Sequence, residues 1–120
     1  MMIKVEAIVR EERFEEVKEA LDGIGLNGMT VSQVMGVGVS KGYTRLVRGQ
    51  KVDINMLPKI KFEIVVESEE MEQKVIDTIC ENANTGEPGD GKIFSYEIRQ
   101  AIRIRTGEKD AEALRAPLKK

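Results

Sequence analysis

Residues 59–83 read KIKFEIVVESEEMEQKVIDTICENA, and their hydrophobic period changes in the middle. Up to Val66, apolar side chains alternate with mainly charged ones, which is typical of a strand. Ser68 is a suitable helix N-cap, and the two glutamates after it favour the first turn of a helix. Beyond it the apolar residues follow helical spacing; they are Met71, Val75, Ile76, Ile79, Cys80 and Ala83. We therefore predict a strand over about 60–66 and then a helix.

The N-terminal part of the chain repeats this change of period. Ile3, Val5, Ala7 and Val9 alternate with Lys4, Glu6 and Ile8, which predicts a strand. From residue 11 to residue 24 the apolar spacing becomes helical, and glycines at 23, 25 and 28 then interrupt it. A valine-rich strand over 30–39 follows.

The remaining elements complete a recognisable order. A turn over 85–91 precedes a fourth strand with Phe94, Tyr96 and Ile98, and Ile102 and Ile104 suggest a further short extended piece. The order β-α-β-β-α-β predicts an α+β, ferredoxin-like fold, with a four-stranded antiparallel sheet and both helices on one face. The second face can be solvated or covered by another subunit; it carries Lys4, Glu6, Ile8, Lys61, Glu63 and Val65. We expect one domain over 1–112 and a charged tail over 113–120.

Composition excludes several classes of function. The 120 residues include 19 basic and 21 acidic side chains, and a net charge of -2 argues against a nucleic-acid-binding protein. The absence of histidine excludes imidazole metal sites and Ser-His or Cys-His nucleophiles. A single cysteine, Cys80, rules out an internal disulfide and fits a cytoplasmic protein. Its position on the apolar stripe of the second helix predicts a core residue.

The segment from Gly86 to Lys92, GEPGDGK, is the strongest local motif. It matches part of a phosphate-binding Walker loop, but Ile93 stands where a hydroxyl should hold magnesium. The motif also leaves a helix and enters a strand, whereas a Walker loop does the reverse. Glycine backbone and a following lysine still suit an anion. The alternative is an ordinary helix-to-strand turn.

Two other segments could serve the same anion. Arg103 and Arg105 are two residues apart and would point to one side of an extended segment, where they could bind a polyphosphate or simply be solvated. Gly36-Val37-Gly38 is either a ligand-binding backbone or a bend. The basic segment 40–55, which Pro58 follows, is either a solvated loop or a docking arm.

Together these features resemble the PII nitrogen-regulatory signal proteins of the GlnB/GlnK type. The likeness covers the chain to about residue 110 and is most specific in TGEPGDGKIF (85–94) and IRIRTGE (102–108), with GMTV (28–31) and LPK (57–59) adding to it. It implies a homotrimer with ATP or ADP between neighbouring subunits. It also implies that segment 38–56 is a T-loop, which docks on a target such as an ammonium transporter or a nitrogen-metabolism enzyme.

The resemblance divides the nucleotide contacts between two subunits. One subunit would supply Ile8, Gly36, Val37, Gly38, Gly89, Asp90, Gly91 and Lys92. Its neighbour would supply Gly28, Thr30, Glu63, Val65, Arg103 and Arg105. The resemblance implies that Lys92 and the two arginines neutralise phosphates, while Thr30 and Glu63 recognise the adenine end. Arg45 and Arg48 would contact the partner, and a membrane would be reached only through a transporter.

Some positions depart from the family pattern. Val39 and Ser40 replace a pair that includes the glutamine that helps to hold Mg²⁺ and 2-oxoglutarate, and Ser40 is too short for the same bond. Lys59 matches the lysine that pairs with 2-oxoglutarate, so a response to that effector stays open. Val52 occupies the position of the tyrosine that is uridylylated in many relatives, and Gln50 that of a phosphorylated serine. We therefore expect neither modification.

Three functions remain for comparison. The first is a nucleotide-dependent regulator, and the second is a divergent regulator that senses energy charge or another small ligand without 2-oxoglutarate. The third is a slow ATPase, for which the sequence offers no evident base, so we expect no catalytic residue. A plain structural module is the simplest alternative.

Overall fold

The computed structural model describes residues 1–26, 28–39, 45–47, 50–52 and 54–115. The strands are β1 Met2–Arg10, β2 Thr30–Val39, β3 Arg45–Val47, β4 Gln50–Val52, β5 Ile54–Val66 and β6 Gly91–Ile98. The helices are α1 Phe14–Asp22, α2 Glu69–Ala83 and α3 Ala111–Leu114, with a 3₁₀ turn at Glu11–Arg13 before α1. No helix within these ranges combines the length and hydropathy that a bilayer crossing requires.

The main sheet is antiparallel, in the order β2-β5-β1-β6, which confirms the ferredoxin-like prediction. Alternate residues of β1 and β5 face α1 and α2. These inward positions include Val5, Ala7 and Phe62, which are all fully buried, and Phe62 stacks on Phe14 with ring centroids 5.8 Å apart. Because strand side chains alternate between faces, the predicted inner and outer sets are both correct.

The N-cap prediction for α2 is also confirmed. The backbone N–H of Met71 donates to the Ser68 hydroxyl oxygen over 3.1 Å, and Ser68 has the extended backbone that a cap requires. The inner face of α2 is formed by Val75, Ile79 and Ala83. Cys80 is exposed, so its prediction as a core residue was wrong. It lies one residue, or about 100° of helical rotation, beyond Ile79 and therefore outside that inner face.

The strand predicted over about 60–66 was too short at its N-terminal end. β5 begins at Ile54, and its first residues pair with the end of β2, up to Val39 opposite Ile54. Pro58 therefore lies inside β5, opposite Met35. The last residue of β5 that pairs with β1 is Lys59, so at Pro58 the strand is hydrogen-bonded to β2 only. A proline, which has no amide hydrogen, is tolerated at such a one-sided position. The basic segment 40–55, predicted to be a solvated loop or a docking arm, also contains the paired strands β3 and β4.

The prediction of an extended segment around Ile102 and Ile104 was also wrong. Only an isolated bridge joins Ile102 to Lys109, and residues 104–106 form a turn. The Arg103 N–H donates to the Glu108 carbonyl over 2.9 Å, and the Gly107 N–H donates to the Arg103 carbonyl over 2.7 Å. These local bonds close the chain on itself, so the two arginines do not share one side of a strand.

Candidate functional site

The glycine turn, residues 85–91, connects the end of α2 to the start of β6. Gly89 and Gly91 both have left-handed backbones, with φ of 99° and 106°. A Cβ atom on Gly91 would lie 1.7 Å from the carbonyl oxygen of Ile8. Glycine at 91 therefore lets the turn approach β1 closely enough to begin β6 there.

Asp90 holds the turn together from within. Its Oδ1 accepts hydrogen bonds from Arg10 Nε at 2.8 Å and from the Thr85 hydroxyl. Its Oδ2 accepts from the backbone N–H groups of Thr85 at 2.8 Å and Gly86 at 3.1 Å. The bond from Arg10, followed by those from Thr85, holds the pKa of Asp90 well below its usual range. Asp90 is therefore an anion at neutral pH.

Two cations of the sheet also hold the turn through its carbonyl groups. Arg10 Nη2 donates to the Pro88 carbonyl over 2.6 Å, and the ammonium of Lys59 donates to the Gly89 carbonyl. Arg10 and Lys59 are paired residues of β1 and β5. Lys59 is buried at 9% exposure, and its aliphatic side chain packs against Gly36 of β2. The sheet therefore fixes the turn beside the end of β2.

The predicted contacts of the first subunit lie together at this end of the sheet. Lys92 pairs with Ile8, and both belong to the open face, the sheet face away from α1 and α2. Gly36, Val37 and Gly38 are in the adjoining part of β2. Sequence reasoning missed Arg10 and Thr85, which position the turn. The available signal was their place at an element end, Arg10 closing β1 and Thr85 following α2.

The predicted contacts of the neighbouring subunit lie elsewhere. Thr30 opens β2 and pairs with Glu63, while Val65 pairs with Lys4. The Lys4 ammonium bonds the Glu63 carboxylate at 2.9 Å and lowers the pKa of that carboxyl. On the same face the Tyr96 hydroxyl donates to Glu6 over 2.8 Å. This part of the open face is therefore polar and partly paired within one chain.

Arg103 is the centre of the C-terminal region. Its Nη1 bonds Glu108 at 2.6 Å, and its Nη2 donates to backbone carbonyls around α3. The Thr106 hydroxyl, and then Arg103, lower the pKa of Glu108. Arg105 is exposed, as is Gly28 before β2. Ser40 and Arg48 lie outside the described residues, and for Arg45 the structure describes the backbone of β3.

A cavity of about 280 Å³ adjoins the glycine turn from the helix side, and its lining includes four of the predicted contact residues, Ile8, Asp90, Gly91 and Lys92. Its walls are mainly apolar side chains of α2 and β6, including Ile76, Ile79 and Ile93, and Cys80 also contributes. The apolar part of this wall does not suit an anion, whereas the Lys92 position lies on the open face opposite Ile8. Among the described residues, no three acidic or cysteine side chains are arranged to hold a metal.

Comparison with known proteins gives one consistent result. The family model "Nitrogen regulatory protein P-II" matches residues 2–108. The protein of that name from Pasteurella multocida is 47% identical over 113 residues, which cover 94% of this chain and all of the relative. The structure of a B. subtilis GlnK-ATP complex is 42% identical with a TM-score of 0.76, covering 94% of this chain and 97% of that one. Arabidopsis thaliana PII bound to citrate is 40% identical with a TM-score of 0.75, over 99% and 94%.

Proposed function

The chain belongs to the nitrogen regulatory protein P-II family of signal-transduction proteins, and from this premise we propose that it binds ATP or ADP between two copies of itself. Nucleotide binding would then control how the segment 38–56 docks on a target protein. The ATP complex of a GlnK 42% identical to this chain supports the choice of ligand. The observation that carries the proposal is the division of the candidate residues between opposite ends of the sheet.

The residues proposed to bind phosphate form two groups, which lie far apart in one protomer. The glycine turn and Lys92 lie at the start of β6, whereas Arg103 and Arg105 follow its end at Ile98. Seven steps of a strand, from residue 91 to residue 98, span roughly 23 Å. One phosphate chain does not reach both groups in a single protomer. A head-to-tail ring, in which each copy joins its turn to the arginines of the next, brings them together.

The same arrangement assigns the rest of the ligand. Thr30 and Gly36 are six residues apart on β2, which is roughly 20 Å, so they too serve different clefts. Beside the glycine turn, Lys92 would neutralise phosphate charge and the glycine backbone would donate hydrogen bonds. Glu63 and Thr30 of the next copy would recognise the adenine end. The homotrimer implied by the family resemblance fits this ring and would cover the polar open face.

The docking segment lies at the end of a long hairpin. β2 and β5 remain paired beyond the last β1 partner, Lys59, as far as Val39 and Ile54. The described ends of segment 38–56, Val39 and Ile54, therefore lie beyond the body of the sheet. We propose that this segment contacts the target, such as an ammonium transporter. A nucleotide controls docking only if it binds two states of the segment with different affinity.

Subunit complementation tests the shared cleft. Lys92→Ala and Arg105→Ala should each weaken ATP binding in calorimetry, by about tenfold or more for a lost charged hydrogen bond. Co-expression of the two variants should recover strong binding, because some clefts then combine an intact Lys92 with an intact Arg105. With random assembly of equal amounts, about one cleft in four is intact. If mixed rings bind no better than either variant alone, the shared cleft is wrong.

A second candidate function follows from two substituted positions. Val39 and Ser40 do not provide the side chains that hold 2-oxoglutarate in the resembling family, and the ammonium of Lys59 is bonded to the Gly89 carbonyl. These facts favour a regulator that senses adenine nucleotides or another small ligand without 2-oxoglutarate. Titration of 2-oxoglutarate in the presence of Mg-ATP separates the two functions. A saturable heat of 2-oxoglutarate binding in calorimetry would favour a regulator that senses 2-oxoglutarate. The absence of a binding heat would favour a regulator that does not.

A further inference from the structure

Arg10 reaches a part of the chain that is about eighty residues away in sequence. It is the last residue of β1, and its guanidinium contacts both Asp90 and the Pro88 carbonyl, at 2.8 and 2.6 Å. The side chains of Arg10 and Asp90 are 20% and 23% exposed, so the pair is largely shielded from solvent. Two separate donors of one planar group thus hold two points of the glycine turn.

The carboxylate of Asp90 is used inside the turn. Its two oxygens accept four hydrogen bonds, one from Arg10 and three from Thr85 and Gly86. These contacts engage both oxygens, and a negative charge beside a phosphate chain is repulsive. Asp90 is therefore better explained as a group that shapes the turn than as one that contacts the nucleotide.

We propose that Arg10 and Asp90 form a clasp that positions the glycine turn for phosphate binding, with Arg10 as a positioning residue. This inference rests on the proposed nucleotide-binding function. The clasp fixes the turn next to Lys92 before the ligand arrives, which removes part of the ordering cost of binding. Gly89 packs directly on the guanidinium, since a Cβ atom there would be 3.2 Å from Arg10 Nη2.

Charge attraction alone makes the opposite prediction for one variant. Asp90→Asn removes a negative charge near the phosphates, and simple electrostatics would then strengthen ATP binding. The clasp predicts weaker binding, because the amide replaces the charged acceptor that Arg10 and Thr85 use. We expect a loss of about tenfold or more for ATP, as for other lost charge-assisted hydrogen bonds. Adenosine has no phosphates, so its affinity should stay within about threefold of the wild type.

The experiment compares four proteins by calorimetry with ATP and with adenosine. They are the wild type, Asp90→Asn, Arg10→Gln and Lys18→Gln. Lys18→Gln makes the same change of charge as Arg10→Gln, but Lys18 pairs with Asp22 on an exposed face of α1. Asp90→Asn and Arg10→Gln should lose affinity for ATP but not for adenosine, and Lys18→Gln should bind both ligands as the wild type does.

Hydrogen exchange supplies a reading that does not depend on the ligand. The backbone N–H of Thr85 donates to Asp90, so it should exchange faster in Arg10→Gln than in the wild type or in Lys18→Gln, whereas the N–H of Gly86 also donates to Asn84 over 2.7 Å and should change less. Unchanged exchange, or ATP affinity that Asp90→Asn leaves equal or raises, would overturn the clasp while the nucleotide function stands. A wild-type protein that binds no ATP would instead overturn the proposed function and the role of the clasp in it.

Discussion

Gly91→Ala should be among the most damaging single changes outside the hydrophobic core. An alanine would hold a φ of 106° and place its Cβ 1.7 Å from the carbonyl oxygen of Ile8. Backbone strain of this kind costs about 1–3 kcal/mol, and overpacking adds about 1–3 kcal/mol. The opposing atom belongs to the backbone of a central strand and has no rotamer with which to move away. We therefore expect a loss of about 4–6 kcal/mol of unfolding free energy, the upper part of the combined range.

Two other glycines separate the two contributions. Gly25 has a φ of 81° but open space around it, so Gly25→Ala should cost only the conformational strain, about 1–2 kcal/mol. Gly23 caps α1 with a right-handed backbone, and a Cβ there would meet its nearest atom at 3.4 Å. Gly23→Ala should therefore be neutral or stabilising by up to about 1 kcal/mol.

Urea unfolding at one fixed protein concentration measures all three variants, since association would otherwise shift the midpoints. The expected order of stability is Gly23→Ala, then Gly25→Ala, then Gly91→Ala. A Gly91→Ala protein as stable as Gly25→Ala would show that the turn can withdraw from β1 at little cost. The close approach of the turn to the strand would then not be a requirement of the fold.

Two further predictions concern the core and acid stability. Phe62→Ala should lose about 3–5 kcal/mol of unfolding free energy, and Phe14→Ala less, because Phe62 is fully buried and Phe14 only partly; equal losses would contradict this. Hydrogen bonding lowers the pKa values of Asp90 and Glu63 in the folded state. The two carboxylates stabilise the folded state fully when the pH is above their ordinary pKa values of about 3.9–4.3. This stabilisation is lost as the pH falls through the lowered pKa values of the folded state. Urea midpoints should therefore begin to fall near about pH 5 and fall more steeply below about pH 4, with a smaller decrease in Glu63→Gln.

Local patterns predicted most of the fold. The alternation in β1 is a property of neighbouring residues, and the structure buries Val5, Ala7 and Val9 to 2% exposure or less. The Ser68 cap likewise depends on residues three positions apart. Such features follow from backbone geometry alone, and the order of strands and helices then leaves few antiparallel arrangements open.

The errors arose where distant partners decide the structure. Residues 54–58 have no clean alternation, and they form a strand because β2 supplies their hydrogen bonds. The prediction places Arg103 on an extended segment, yet its bonds to Glu108 close a local turn instead. Arg10 was overlooked because its partners in the glycine turn are about eighty residues away, and no local pattern marks that contact.

Lys59 joins the two regions that the proposed function must couple. It lies on β5, donates to the Gly89 carbonyl in the turn, and passes 3.1 Å from where a Cβ of Gly36 would be. Gly36 is in the part of β2 that leads to segment 38–56. With the turn held by Arg10, a ligand that displaces the Lys59 ammonium from the Gly89 carbonyl would change the position of a buried side chain that packs on the hairpin. Because packed interiors resist small continuous deformation, such a change can favour one hairpin position over another, which is what nucleotide-controlled docking requires.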